Sequence, residues 1–113
     1  MSSVMTGEKP KTRSVWSSEV SRNAAVRAVG DRRGLKAGEV AEAAAEIGGL
    51  SQRARKVKTP HGREKYRADV YNVLHRLRTT GLMRENDRGG YLLTAKGRKV
   101  YRGLVETTSA VNS

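Results

Sequence analysis

The sequence predicts a mainly α-helical domain that carries one small β-hairpin. Three observations lead there. Val70, Val73, Leu74 and Leu77 recur at i, i+3, i+4 and i+7, the spacing of a helix with one buried stripe. Gly81 then stops that helix, and two short strands, Leu82 to Glu85 and Tyr91 to Thr94, bracket the turn residues Asn86, Asp87, Arg88, Gly89 and Gly90. Upstream, LKAGEVAEAAAEIGGL is rich in alanine, the best helix former, and ends on a glycine pair.

The elements follow in order. Residues 1–13 are polar, with Gly7, Pro10 and basic groups near the end, and read as a flexible basic arm. Ser14 to Arg33 reads as a first helix. Ser14 is its expected N-cap, Val15, Trp16, Val20, Ala24 and Val29 fall at helical spacing, and Gly30 or Gly34 stops it. Leu35 is expected to form a minimal strand. A second helix covers Ala37 to Ile47, with Val40, Ala41, Ala44 and Ile47 on one face and Glu39, Glu42 and Glu46 away from it. Residues 51–67 form a basic loop with room for a short helical turn at its start, because Pro60 and Gly62 break any long helix. The third helix, Ala68 to Thr80, puts Asp69, Asn72, Arg76 and Thr79 opposite its apolar stripe. After the hairpin, Thr94 caps a last helix from Ala95 to about Thr107, whose apolar face is Val100, Tyr101, Leu104 and Val105. Residues 108–113 read as a frayed tail, and the folded domain spans 14–107.

The chain has 113 residues, enough for one small domain with a single core. There is no phenylalanine, and the aromatics are Trp16, Tyr66, Tyr71, Tyr91 and Tyr101, so Leu, Val, Ala and Ile must carry that core. No cysteine is present, which removes disulfides, thiol catalysis and thiolate metal sites. No apolar run approaches the roughly 20 residues of a membrane span. The N-terminus lacks the apolar stretch of a secretory signal, so a cytoplasmic, nucleoid-associated protein is expected. Lys and Arg number 23 against 11 Asp and Glu, for a formal charge of +12 and a pI near 10.8. A pI above about 9 on one domain is an electrostatic footprint of nucleic-acid binding. Anionic lipid ranks lower, because no basic amphipathic helix or lipidation signal stands out.

Leu74, Leu77, Gly81 and Leu82, the glycine-rich turn and the segment YLLTAKG together resemble the winged helix-turn-helix transcriptional regulators of bacteria, archaea and their viruses. The resemblance covers about Ser14 to Glu106. It implies that the third helix packs by its stripe, that the glycine turns the chain into a wing, and that Leu93, Thr94 and Gly97 open the last helix. One departure is plain. Compact members join the second and third helices by a short turn, whereas here roughly twenty residues, Gly48 to Arg67, intervene. The basic loop therefore reads as this protein's own device.

A recognition helix reads base edges in the major groove with its N-terminal half. Lys65, Arg67, Tyr71, Asn72 and His75 are the candidate base contacts, with Arg67 and Asn72 leading: Arg can bond guanine O6 and N7, and Asn can bond adenine N6 and N7. Tyr71 suits a thymine methyl or a phosphate. Asp69 suits capping, orientation of a neighbouring cation or a cytosine amine. Lys36, Arg53, Arg55, Lys56, Lys58, Arg63 and Arg76 are candidate phosphate contacts, which set affinity but carry no sequence information. Arg76 and Arg78 are equally readable as solvated. Arg84, Arg88 and the Gly89 backbone form the wing, where an arginine can enter a minor groove.

Catalysis is not expected. The sequence holds no HExxH, GxSxG or Walker-type phosphate loop, and two isolated histidines, His61 and His75, give no basis for a metal. No cofactor and no small-molecule ligand are expected. The leading function is a sequence-specific transcriptional regulator bound to double-stranded DNA. It is expected as a homodimer through its first and last helices, with Trp16, Val100, Tyr101 and Leu104 as joining residues. The alternative is an architectural, plasmid-partition, replication or ribosome-associated nucleic-acid binder. A winged helix that binds only protein ranks last, since its charge should be patchy or neutral.

Overall fold

The computed structural model describes the backbone of residues 16–112 and the side chains of residues 16–106. Five helices and one hairpin follow in order: α1 (Ser18–Asp31), α2 (Ala37–Ile47), α3 (Gln52–Arg55), α4 (Lys65–Thr79), β1 (Met83–Glu85), β2 (Tyr91–Leu93) and α5 (Ala95–Asn112). The architecture is mainly helical with a two-stranded antiparallel hairpin, and it is winged-helix-like. The expected basic arm, residues 1–13, lies outside the described residues, as do Ser14 and Val15.

Alanine sets the spacing of the helical core. Ala24, Ala25 and Ala28 of α1 and Ala41, Ala44 and Ala45 of α2 are all buried. Such short side chains let helices approach toward the near end of the usual 8–10 Å separation. Into the resulting wedge α4 inserts Val70, Val73, Leu74 and Leu77, the stripe expected of it. Tyr66 extends that stripe one turn toward the N-terminus, because α4 starts at Lys65 rather than Ala68.

Several boundaries shift for local reasons. Ser17 caps α1, its hydroxyl accepting from the Val20 N–H at 3.1 Å, so the helix opens three residues later than a Ser14 cap requires. Helix α1 also runs through Gly30 to Asp31, because Gly30 is where the Tyr101 ring of α5 lies and a side chain there would strike it. Gly34, at φ 83°, makes the turn instead. Trp16 is buried and packs against Gly48, at the end of α2. Helix α2 closes on Gly49 at φ 71°, with the Leu50 N–H bonded to the Ala45 carbonyl at 2.9 Å. At the other end of the chain, α5 continues past the expected stop at Thr107 as far as Asn112, so the backbone of the expected frayed tail is mostly helical.

The basic loop is the largest correction. Residues 51–67 are built, not irregular. Ser51 caps the single turn α3. Lys58 then pairs with Glu64 across a tight turn. In that turn the Thr59 N–H donates to the Arg63 carbonyl at 2.7 Å, and the Thr59 hydroxyl accepts from the Arg63 N–H at 3.2 Å. Gly62 supplies the left-handed residue at φ 84°. Arg67 belongs to α4.

The wing hairpin pairs Met83 with Leu93, Arg84 with Leu92 and Glu85 with Tyr91. Leu35 adds the expected minimal strand: the Tyr91 N–H donates to its carbonyl at 2.8 Å. The hairpin is locked to α4 and α5 by Thr94. Its hydroxyl donates to the Gly81 carbonyl at 2.6 Å and accepts from the Gly97 N–H at 3.1 Å, while its own N–H donates to Leu82 at 3.0 Å. Gly97 lies directly against the Leu82 carbonyl, where any Cβ would collide with backbone.

Gly97→Ala should therefore destabilise the fold by about 1–3 kcal/mol, the range for forcing extra volume into packed structure. Gly103→Ala, on the same helix, where an added Cβ meets no described residue outside its own helix backbone within 4 Å, should destabilise far less than Gly97→Ala. Thermal or urea denaturation of the two variants checks this. Equal stability of both would contradict the packing at Leu82.

Candidate nucleic-acid interface

Helix α4 sorts its residues by angle. With 100° between successive positions, Ala68, Asn72, His75 and Thr79 share the side opposite the buried stripe. Asn72, His75 and Thr79 are exposed there, and Tyr71, on one flank, is 37% exposed. Along that flank, His75, Arg78 and Thr79 line a shallow cleft with Met83, Arg84 and Glu85 of the wing. The Arg78 guanidinium pairs with Glu85 at 3.1 Å, so Arg78 joins α4 to β1 rather than standing free. The other flank carries Arg76, exposed, beside a groove formed with Ser18, Glu19 and Arg22 of α1.

Three residues expected to face outward or to contact bases, Asp69, Lys65 and Arg67, are engaged within the fold. Asp69 is buried, not outward, and Lys65 lies over it at 3.1 Å, one turn earlier. Lys65 is thereby half-buried and committed to a carboxylate, which removes it as a free base contact. Arg67 is also committed. Its guanidinium binds Glu42 of α2 and, at 2.7 Å, Glu64, and it stacks over the Tyr66 ring at 5.3 Å. The Tyr66 hydroxyl donates to the same Glu42 carboxylate at 3.2 Å. The hydrogen bond to Glu64 is the main reason that the guanidinium holds its proton even more firmly than an ordinary arginine. Burial pushes the Tyr66 phenol up, partly offset by the Arg67 charge. Arg67 thus clamps α2 to α4, and reaching a base would mean leaving two carboxylates.

Asn72, His75 and Tyr71 remain as groups presented outward. Tyr71 lies beside Arg67 and the start of α2, its hydroxyl 4.0 Å from the position of a Cβ on Gly38. Lys36, just before α2, is exposed, and its backbone N–H is held by Glu39 at 2.9 Å.

The wing tip is ordered by one side chain. The Asn86 carbonyl oxygen accepts from the Arg88 N–H at 2.8 Å and from the Gly90 N–H at 2.9 Å. Gly89 takes φ 80°, and Gly90 passes too close to the Gly34 carbonyl for a side chain. Arg84, Arg88 and Gly89 are exposed, as the wing reading requires. This role of Asn86 was legible as turn chemistry but not as a specific double acceptor.

The basic segment presents Arg53, Lys56, Lys58 and Arg63 to solvent, and none of their side chains forms an ion pair among the described residues. Arg55 differs: it is half-buried, and its Nε is enclosed with no hydrogen-bond partner. Glu42, Glu64, Asp69 and Glu85 are engaged with Arg67, Lys65 or Arg78, whereas Glu19 beside Arg76 and Asp87 beside Arg88 are exposed and form no ion pair among the described residues. On this side the unpaired cations Arg53, Lys56, Lys58, Arg63, Arg76, Arg84 and Arg88 outnumber these two acids, so the net free charge is positive. Among the described residues no group of three or more His, Cys, Asp or Glu is arranged to hold a metal ion, and no helix is long and apolar enough to cross a membrane.

The residues expected to join two copies are engaged within one chain. Trp16 is in the core, the Tyr101 hydroxyl bonds Asp31 at 2.5 Å, and Val100 and Leu104 are half-buried against the same core. Sequence reasoning also passed over the charges of α5, where Lys96, Arg98, Lys99 and Arg102 are all exposed.

No curated protein and no solved structure matches the chain. The Mrr N-terminal domain matches residues 22–103, a stretch that runs from α1 through the basic segment and the wing into α5. The basic segment thus lies inside the matched region rather than beside it. That domain is a small, winged-helix-like unit of restriction-system proteins, and the match supports a nucleic-acid-binding role, not transcriptional regulation. The chain belongs to the Mrr N-terminal domain family.

Proposed function

We propose that this domain binds double-stranded DNA and serves as the DNA-recognising unit of a restriction-system protein. In this reading the outer face of α4 enters the major groove, where Asn72 reads a base edge with His75 and Tyr71 beside it. Arg88 and Arg84 of the wing rest on the neighbouring minor groove or its phosphates. Arg53, Lys56, Lys58 and Arg63 hold the backbone and fix the register. The observation that carries the reading is the sorting of charge around α4. Glu42, Glu64, Asp69 and Glu85 are held in ion pairs, and the outward groups are neutral hydrogen-bonders ringed by unpaired cations that outnumber the unpaired acids Glu19 and Asp87.

The family favours a restriction context over the transcriptional regulator expected from the general winged-helix resemblance. The reading assigns the domain recognition and no catalysis. It works with one copy, since the side chains expected to form a dimer are engaged within the chain. Association with the nucleoid would follow from DNA binding alone.

Two outcomes test it. With about six phosphates neutralised, the logarithm of affinity should fall with the logarithm of salt at a slope near −5, measured by fluorescence anisotropy on duplex DNA. A slope near zero would remove the electrostatic basis of the reading. Asn72→Ala should relax preference at one base position, at a cost of about 1–3 kcal/mol, in a binding selection from random duplexes with RNA competitor present. Lys58→Ala should instead weaken all sequences alike. If Asn72→Ala also weakens every sequence alike, Asn72 contacts the backbone rather than a base.

A further inference from the structure

A second basic surface lies on the outer side of α5. Lys96, Arg98, Lys99 and Arg102 are exposed within two turns, and none pairs with an acid among the described residues. Lys96 and Arg98 donate instead to backbone carbonyls, of Thr80 and Leu93, each at 3.3 Å. Lys96, Lys99 and Arg102 follow each other at i, i+3 spacing, so like charges are stacked along one face. That arrangement costs the isolated helix stability, and a polyanion laid along it removes the cost. The opposite side of α5 is occupied, since Tyr101 covers Gly30 and Leu104 packs beside Arg27.

Lys96 reaches the end of α4 at the Thr80 carbonyl, and α1, whose Glu19 borders the grooves on both sides, lies between α4 and the rest of this surface. Ser18 and Arg22 of α1 border the groove lined by Val73 and Leu77 of α4. Val20 and Arg27 border the groove that holds Leu104 of α5. At 100° per residue these two pairs lie on nearly opposite sides of α1. Helices α4 and α5 therefore flank α1 and turn their polar faces away from each other. Lys99 and Arg102, about one and two turns beyond Lys96, are the cations of α5 set furthest along from the end of α4.

We propose that the outer face of α5 is a second, sequence-independent phosphate-binding surface that takes a second segment of duplex DNA, so that one domain bridges two duplexes. The bridging half of this proposal rests on the reading of α4 as the first DNA site, whereas the α5 contact does not. Its affinity should be lower and strongly salt-dependent, since it holds phosphates without base contacts.

The test is the number of short duplexes bound per chain at low salt, by analytical ultracentrifugation, together with capture of a labelled duplex by an immobilised one. The 113-residue chain should bind two duplexes and bridge them. Lys99→Gln with Arg102→Gln should bind one, lose bridging by roughly tenfold or more, and keep the salt slope of the first site. Lys58→Gln with Arg88→Gln should weaken the first site and leave the α5 contact. Circular dichroism confirms that the exposed substitutions leave the helices intact, and Lys99→Glu with Arg102→Glu should abolish bridging outright. If the unaltered chain binds one duplex and the α5 variant binds it equally well, the α5 surface is overturned. If the α5 variant binds none, bridging is overturned, and the α4 reading falls with it. If the unaltered chain binds no duplex, both fall.

Discussion

The structure depends on how closely α1 and α2 can approach, and alanine decides that distance. Six alanines of these two helices are buried, and the valines among them, Val26, Val29 and Val40, are fully enclosed. The fully enclosed residues between these two helices are alanines and valines, so the helices close on each other, while the larger Trp16, Tyr66 and Tyr91 are also buried in the core. Helix α4 is then held by a narrow stripe, and its rotation about its own axis follows from which residues that stripe contains. Shifting the stripe by one position would rotate α4 by 100° and carry Asn72 and His75 toward the flanks.

Electrostatics refine what packing sets. Arg67 reaches back to Glu42 and Glu64, Lys65 covers Asp69, and Arg78 ties the wing through Glu85. Each exposed or half-exposed pair contributes little stability by itself, of order 1 kcal/mol or less. Together they have a larger effect on the field. The domain pairs most of the carboxylates beside the surface it offers, so a duplex meets hydrogen-bonding groups and an excess of unpaired cations. Asn86 does the corresponding work at the wing, where two N–H groups of the tip are held on one amide oxygen and Arg88 is kept at the end of a defined hairpin.

Much of this was legible from residue spacing alone. The α4 stripe, the extent of α2, the hairpin and the Thr94–Gly97 closure are local patterns, and local patterns fix local structure. The rest depended on contacts between distant residues. Glu42 and Arg67 are far apart in sequence, and nothing in the period of α2 says that its outward acid will meet an arginine of α4. Asp69 was misplaced because a charged residue beside an apolar stripe reads as outward, whereas Lys65 one turn earlier allows it to be buried. Gly30 read as a helix stop because its true reason, the Tyr101 ring, comes from the far end of the chain. The basic segment read as a loop because Pro60 and Gly62 mark a turn without revealing the pairing of Lys58 with Glu64 that surrounds it.

The central claim is that α4 presents its outer face to DNA, and amide shifts on titration with duplex test it most directly. In an isotopically labelled chain at substoichiometric duplex, the first signals to move should be those of Tyr71, Asn72, His75 and the wing tip around Arg88. Early movement confined to α5, with Asn72 and His75 unchanged through the first equivalent, would contradict the account.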